Sequence, residues 1–183
     1  MQRIAWLSRM AKPWAMGLGF MMALNVGFVI VASSAEELPR EAVLPISLAL
    51  KAATAAQDKC VKDGYRVSVA VADRAGVLRA FVRGDGAGPH TVESSFKKAY
   101  TAASLRGATG DFADMVGKMP TLQGLRDMND KILILGGGLP IEIAGEVVGG
   151  IGVGGAPGGH LDAACAQSGL ESIGATVKGG QAK

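Results

Sequence analysis

Two strand–turn–strand patterns constrain the fold of this chain more than any other feature of its sequence. In residues 67–72 valine alternates with serine or alanine, and a turn at residues 73–76 leads into a second apolar stretch, residues 77–82. Such alternation is typical of a strand with one buried face, and the short turn makes the pair a β-hairpin. Residues 141–153 repeat the pattern around Gly145. Consecutive hairpins imply an antiparallel sheet.

Apolar residues at helical spacing flank these hairpins. Helices are expected over residues 47–62, 90–106 and 160–173, with short helical pieces within residues 107–130. A further strand is expected over residues 132–135, which brings the expected number of strands to five. The order helix, two strands, helices, three strands, helix predicts an α+β domain with helices packed on an antiparallel sheet.

Residues 1–35 have the three parts of a secretory signal, namely a basic start, an apolar middle at residues 14–32 and small residues up to Ala35. We expect cleavage after Ala35 and a periplasmic or secreted mature protein with no stable membrane anchor. The alternative is a permanent anchor, since the apolar run approaches the roughly 20 residues that span a bilayer.

The mature chain is formally neutral and has the size of one domain. The whole sequence has 19 basic and 16 acidic residues, and residues 1–35 hold three basic and no acidic ones, which leaves 16 of each. The basic character therefore belongs to the signal, and no nucleic-acid partner is expected. We expect an irregular lead-in, one domain and a polar tail, at residues 36–46, 47–176 and 177–183 respectively.

Cys60 and Cys165 are the only two cysteines, and both lie beyond the signal. In an oxidising compartment such a pair favours a disulfide, which would stabilise the domain by roughly 4–5 kcal/mol in the chain-entropy model. The alternative is two separate buried thiols.

Residues 150–155 match the dinucleotide-binding pattern G-x-G-x-x-G. That type of site also needs a following strand with an acidic residue for the ribose, and here a single helix follows. We favour the alternative that these glycines let a strand approach another surface closely.

His90 and His160 are the only histidines, and no group of cysteines and histidines has metal-binding spacing. By default each is expected to be a surface or capping residue. His90 is nevertheless the candidate metal ligand, because it enters a helix from a glycine-rich loop, where a neutral imidazole could bind a metal ion or haem iron.

Charged side chains accompany His90 in the sequence. Glu93, Lys97 and Tyr100 would share one side of the helix with it by three-and-four spacing, and the default interpretation is an exposed face with an ordinary ion pair. A functional interpretation places Lys97 or Lys98 beside an anionic group such as a haem propionate, and Arg83 and Arg74 are equally possible partners by their chemistry alone. The candidate cofactor-binding residues are therefore His90, Lys97, Lys98, Tyr100 and Arg83.

Motifs in residues 67–104 and 136–173 together resemble the GlcG/HbpS-like family, also called the haem-degrading or DUF336 domain. They are V-A-D-x-x-G at 71–76, R-x-D-G-A at 83–87, K-A-Y-T-A at 98–102, G-G-G-L-P at 136–140, G-E-V-V-G-x-I-G-V-G-G at 145–155 and D-x-A-C-A at 162–166. The resemblance spans about residues 45–175. His160 departs from the family pattern, in which a polar or acidic residue is more usual.

The resemblance implies a profilin-like fold with five antiparallel strands flanked by helices, assembled as an octamer or another homo-oligomer. It implies an exported protein that binds haem or a similar tetrapyrrole and serves in haem sensing or iron handling. Two alternatives are a non-catalytic module that senses another small ligand or a partner protein, and a weak haem-degrading enzyme. We expect no catalytic residue, because no acid–base pair is evident, so an enzyme is the less favoured interpretation.

Overall fold

In the computed structural model of this chain, residues 37–176 are described, and helices alternate with pairs of strands along them. The helices are α1 (Ile46–Lys62), α2 (His90–Leu105), α3 (Thr109–Lys118) and α4 (Gly159–Ser172), with a 3₁₀ helix at Pro120–Asp127. The strands are β1 (Ser68–Asp73), β2 (Leu78–Arg83), β3 (Gly138–Ile143) and β4 (Glu146–Gly154). Both predicted hairpins are present, and each of their strands begins and ends within three residues of its expected bounds.

The four strands form one antiparallel sheet in the order β2-β1-β4-β3. The two central strands pair from Ser68 opposite Gly154 to Asp73 opposite Gly149. Ala144 and Gly145 turn the chain between β3 and β4, and both have positive φ angles, 52° and 84°. Two consecutive positive φ angles are typical of the tight hairpin turns that match the twist of paired strands.

The predicted strand at residues 132–135 is wrong, so the described residues form four strands rather than five. Ile132 and Ile134 are buried against Val116 of α3, in a cluster of their own. The amide of Leu133 donates to Thr101 Oγ1 at 2.8 Å instead of to a neighbouring strand. The α+β class with an antiparallel sheet flanked by helices is confirmed, whereas the finer profilin-like assignment stays a prediction.

Alternate residues of the central strands point to opposite faces of the sheet. Val69, Val71 and Ile151 belong to the main core, which they form with apolar residues of α1 and α4. On the opposite face, Ala70 and Ala72 pack against α2. The sheet therefore has α1 and α4 on one side and α2 on the other.

Glycines of β4 let α2 lie directly on the sheet. A Cβ atom added to Gly150 would meet the backbone of Ala99, and one added to Gly152 would meet the backbone of Ser95, both closer than any ordinary contact. The backbone of α2 thus occupies the space beside the G-x-G-x-x-G pattern. This packing confirms the close-approach interpretation and leaves no room for a nucleotide against these two glycines.

A disulfide between Cys60 and Cys165 joins α1 to α4, with the two Cα atoms 5.5 Å apart and a sequence separation of 105. The pairing predicted from the cysteine count is therefore present. It connects the two helices that share the main core.

The expected signal segment at residues 1–35 and the polar tail at residues 177–183 lie outside the described residues. Within residues 37–176, no helix is both long enough and apolar enough to span a bilayer.

Candidate functional site

His90 is the first residue of α2, and its side chain is exposed. Its imidazole folds back over the preceding loop, so that a Cβ atom added to Gly88 would lie 2.7 Å from His90 Cε1. No hydrogen bond or ion pair occupies the ring among the described residues. The glycine therefore leaves the space in which the imidazole rests, and no residue within 37–176 bonds to its ring nitrogens.

The loop before His90 is held from both ends. Thr91 Oγ1 donates to the carbonyl of Gly88 at 2.6 Å, and Ser68 Oγ lies 2.7 Å from the same hydroxyl oxygen. Since the only hydroxyl proton of Thr91 goes to Gly88, Ser68 is the donor in the second bond. Arg83 Nη2 donates to the carbonyl of Ala87 at 2.6 Å. These buried and half-buried bonds fix the backbone from which His90 projects.

Lys97 and Tyr100 follow on the outer side of α2. Lys97 Nζ lies 2.9 Å from Glu93 Oε1, and 72% of the Glu93 side chain is exposed. Tyr100 packs edge-on against Phe96, with ring centroids 6.4 Å apart, and Lys131 Nζ lies 5.4 Å from its ring. Lys97 is therefore a partly exposed cation two helical turns from His90, whereas Tyr100 is engaged in packing.

Lys98 has a different environment from its neighbour. Its Nζ donates to Asp162 Oδ2 and to the carbonyl of Val153, each at 2.8 Å, and both side chains of the ion pair are almost wholly buried. Asp162 Oδ1 accepts from the amide of Ala156 at 3.0 Å. Gly137 closes over the pair, since a Cβ atom there would lie 2.9 Å from Lys98 Nζ. The ion pair thus joins α2 to the start of α4 beside the end of β4.

Burial raises the pKa of the Asp162 carboxyl above its usual value of 3.8, and the charge and hydrogen bond of Lys98 only partly oppose this effect. Sequence reasoning missed this partner, because the two residues are 64 positions apart in the sequence. The aspartate was visible in the D-x-A-C-A motif, but nothing in the spacing connects it to Lys98.

His160 repeats the local geometry of His90 at the start of α4. Its side chain is exposed, and a Cβ atom added to Gly158 would lie 2.8 Å from His160 Cε1. Each histidine therefore rests over a glycine two residues before it, at a helix start. The two residues provide a matched pair for comparison.

A cleft of about 470 Å³ opens where the end of α1 meets the end of β2. Arg83 lines it, together with side chains that sequence reasoning missed, above all Gln57 and Arg66. Their positions follow from the packing of α1 on the sheet, which no local motif indicates. The polar lining is provided by Gln57, Tyr65, Arg66, Arg83 and Asp85.

The structure divides the predicted site residues into two groups. His90 is exposed and Lys97 is partly exposed on the outer side of α2, and Arg83 supports the loop that leads to His90. Lys98 faces the interior, away from them. Within residues 37–176, no group of three or more histidine, cysteine or acidic side chains could hold a metal ion. A metal bound at His90 would therefore need further ligand atoms that arrive with it, as the iron of haem has.

These features define a class of protein. It is an α+β domain cross-linked by a disulfide, with an exposed histidine at the start of a helix whose preceding loop is held by hydrogen bonds. The model of the family described as "Haem degrading protein HbpS-like" matches residues 44–171. The chain belongs to this family, the GlcG/HbpS-like or DUF336 family.

Several known proteins resemble the chain in sequence or in structure. Protein GlcG of Escherichia coli strain K12 is 32% identical over 111 residues, which cover 61% of this chain and 81% of GlcG. A double mutant of HbpS from Streptomyces reticuli is 42% identical with a TM-score of 0.69, covering 77% of this chain and 94% of that one. The structure named PduOC:Heme Complex is 26% identical with a TM-score of 0.69, covering 75% and 100%.

Proposed function

We propose that this protein is an exported haem-binding protein and that His90 is the ligand to the haem iron. The observation that carries the proposal is the exposed imidazole of His90, which has no hydrogen-bond partner among the described residues and stands on a fixed loop. Histidine is a common proximal ligand of haem iron. The bound haem would supply the iron chemistry, and this chain would supply the ligand nitrogen and its orientation.

Lys97 is the cation best placed to meet a haem propionate. Its partner Glu93 is 72% exposed, and ion pairs open to solvent are worth about 0–1 kcal/mol. The pair is therefore easily exchanged for a contact between Lys97 and a propionate. Lys98 is held by Asp162 in the interior, so we assign it to the fold. Tyr100 supports the same face through its contacts with Phe96 and Gly76.

The family relationship supports a haem ligand. One structural neighbour, 26% identical to this chain, is a haem complex by its name, and the family itself is described as haem-degrading. His90 accounts for haem binding but not for a reaction of the haem. We therefore propose a role in haem sensing or iron handling rather than catalysis.

The experiment that tests the proposal is a titration of the mature protein with haemin, followed by the Soret absorption band. We expect a red-shifted Soret band in the wild type that is lost in the His90→Ala variant. His160→Ala is the matched control, because His160 has the same exposure and the same local geometry. An unchanged spectrum in the His90→Ala variant would exclude His90 as the ligand.

We also propose that residues 1–35 export the chain to the periplasm or beyond. The disulfide supports an oxidising compartment, because such bonds are rare in reducing cytosols. The measurement is the intact mass of protein recovered from the periplasm, which we expect to begin at Glu36. Native mass in the same sample tests the proposed homo-oligomer, for which the octamer is the expected form.

A further inference from the structure

The sulfur atoms of the domain are unevenly distributed. Residues 37–176 contain two cysteines, which are joined in the disulfide, and three methionines. Met115 lies in α3, Met119 ends that helix, and Met128 follows the 3₁₀ helix. Their side chains are exposed by 38%, 45% and 59% respectively. Methionine is ordinarily among the most buried residue types, so this placement is unusual.

The core of the described domain contains no methionine. On both faces of the sheet the buried apolar residues are alanine, valine, isoleucine and leucine, together with the disulfide. In the cluster beneath α3 the buried residues are Val116, Ile132 and Ile134. Within residues 37–176, every thioether is therefore open to solvent, and an oxidant that reaches the surface meets all of them.

Hydrogen peroxide oxidises an exposed thioether directly. The sulfur atom attacks one oxygen atom of the peroxide, an S–O bond forms, the O–O bond breaks, and the other oxygen atom leaves as water. The sulfur is thereby oxidised by two electrons, and the peroxide is reduced by two. The product, methionine sulfoxide, is polar, so it disrupts a buried site but is hydrated at an exposed one.

We propose that Met115, Met119 and Met128 form a site of reversible methionine oxidation, which takes up oxygen from peroxide while the domain stays folded. The local backbone is held by main-chain bonds. The amide of Met119 donates to the carbonyl of Met115 at 2.9 Å, and the amide of Leu122 donates to the carbonyl of Met119 at 2.9 Å. The apolar contacts beneath the segment come from other side chains, Val116 among them. The proposal does not depend on haem binding, since the oxidant is the peroxide itself.

The test is treatment of the haem-free mature protein with hydrogen peroxide, followed by intact and peptide mass spectrometry. We expect a gain of three oxygen atoms, one on each methionine. The melting temperature should fall by less than about 5 °C, because changes at exposed sites alter stability little. Methionine sulfoxide reductases of both stereospecificities, supplied with dithiothreitol, should then remove the three oxygen atoms. Unfolding on oxidation, or protection of any of the three methionines in the native homo-oligomer, would overturn the proposal.

A buried methionine provides the internal standard. Leu170 is fully buried, and Leu170→Met nearly keeps its volume. The new thioether should react at least about tenfold more slowly than the three exposed ones, because peroxide reaches it only when the domain opens. Leu139→Met, at a position that is 3% exposed, replaces this variant if it does not fold. Equal oxidation rates at the buried and exposed positions would contradict the proposal.

A triple variant assigns the oxidation to the three methionines. Met115→Leu, Met119→Leu and Met128→Leu together keep the apolar side chains but remove the thioethers. Under the same treatment the triple variant should gain no oxygen. A gain equal to that of the wild type would place the oxidation at other residues and refute the assignment.

Discussion

Lys97 and Lys98 are adjacent in sequence, yet the helix turns them to opposite environments. Lys97 reaches an exposed glutamate, whereas Lys98 is buried with Asp162 beneath Gly137. An exposed pair contributes little to stability, but removing one partner of a buried pair leaves an uncompensated charge in the interior. The same residue type at neighbouring positions therefore has a surface role in one case and a structural role in the other.

Replacement of each lysine by methionine tests this difference. We expect Lys98→Met to lower the free energy of unfolding by about 3–5 kcal/mol, because Asp162 loses its buried partner. Lys97→Met should change it by less than about 1 kcal/mol. Urea denaturation followed by circular dichroism measures both values. Equal effects of the two substitutions would contradict the structural role of Lys98.

The raised pKa of Asp162 predicts a pH dependence of stability. The folded state holds the Asp162 proton more tightly than the unfolded chain does, so the unfolded chain releases it first as the pH rises. The contribution of this carboxyl is therefore complete below its usual pKa of 3.8 and is lost as the pH rises towards the folded-state pKa. Relative to the Asp162→Asn variant, the wild type should lose stability over that interval. Denaturation curves from pH 3 upward measure it, and a difference that increased with pH would have the wrong sign.

At the scale of single residues, the sequence indicated which side chains are chemically important. It indicated less well which side chains contact each other. It identified His90 at a helix start and paired Cys60 with Cys165, because a loop motif and a cysteine count carry that information. It did not show that Lys98 is buried or that Gln57 and Arg66 share a cleft. Those relations arise from packing between elements far apart in sequence.

At the scale of elements, the contact between α2 and β4 depends on glycine. Ordinary side chains would hold a helix well away from a sheet, but Gly150 and Gly152 allow backbone contact with α2. The close contact in turn presents the start of α2, and with it His90, at a fixed height above the sheet. The glycine-rich strand β4 therefore helps to position His90, the proposed ligand to the haem iron.

Substitution of a glycine in this contact has a predicted cost. Gly152→Ala should destabilise the domain by about 3 kcal/mol or more, because the new methyl group meets the α2 backbone, which cannot yield as a flexible side chain would. Gly117→Ala is the control, since a Cβ atom there meets nothing within 4 Å in the exposed part of α3. That substitution should stabilise the helix by about 0.5–1 kcal/mol. Thermal unfolding of the two variants measures the contrast, and a tolerated Gly152→Ala would refute the close contact.

The error in the expected strand count also belongs to this scale. Residues 132–135 are apolar and alternate in burial, as a strand would be, but their neighbours are helix α3 and the side chain of Thr101. A short apolar run carries no information about whether its partner is a strand or a helix. The hairpins were predictable because each strand of a hairpin pairs with the strand next to it in the sequence.

At the scale of the whole domain, the disulfide connects the two helices of the main core. Its loop of about one hundred residues should contribute roughly 4–5 kcal/mol through the entropy of the unfolded chain. The double variant Cys60→Ala, Cys165→Ala is expected to lose that amount in urea denaturation. Wild-type protein unfolded with a reductant should show a loss of the same size. Detection of two free thiols in untreated protein would contradict the bond.

The disulfide also determines how the domain behaves when its backbone is cut. All four strands, together with α2 and α3, lie between Cys60 and Cys165. A protease that cleaves anywhere within that interval leaves both fragments covalently joined, so the nicked domain migrates as one species until it is reduced. In a compartment rich in proteases, a single break in a surface loop would therefore leave the halves of the sheet together, able to pair again.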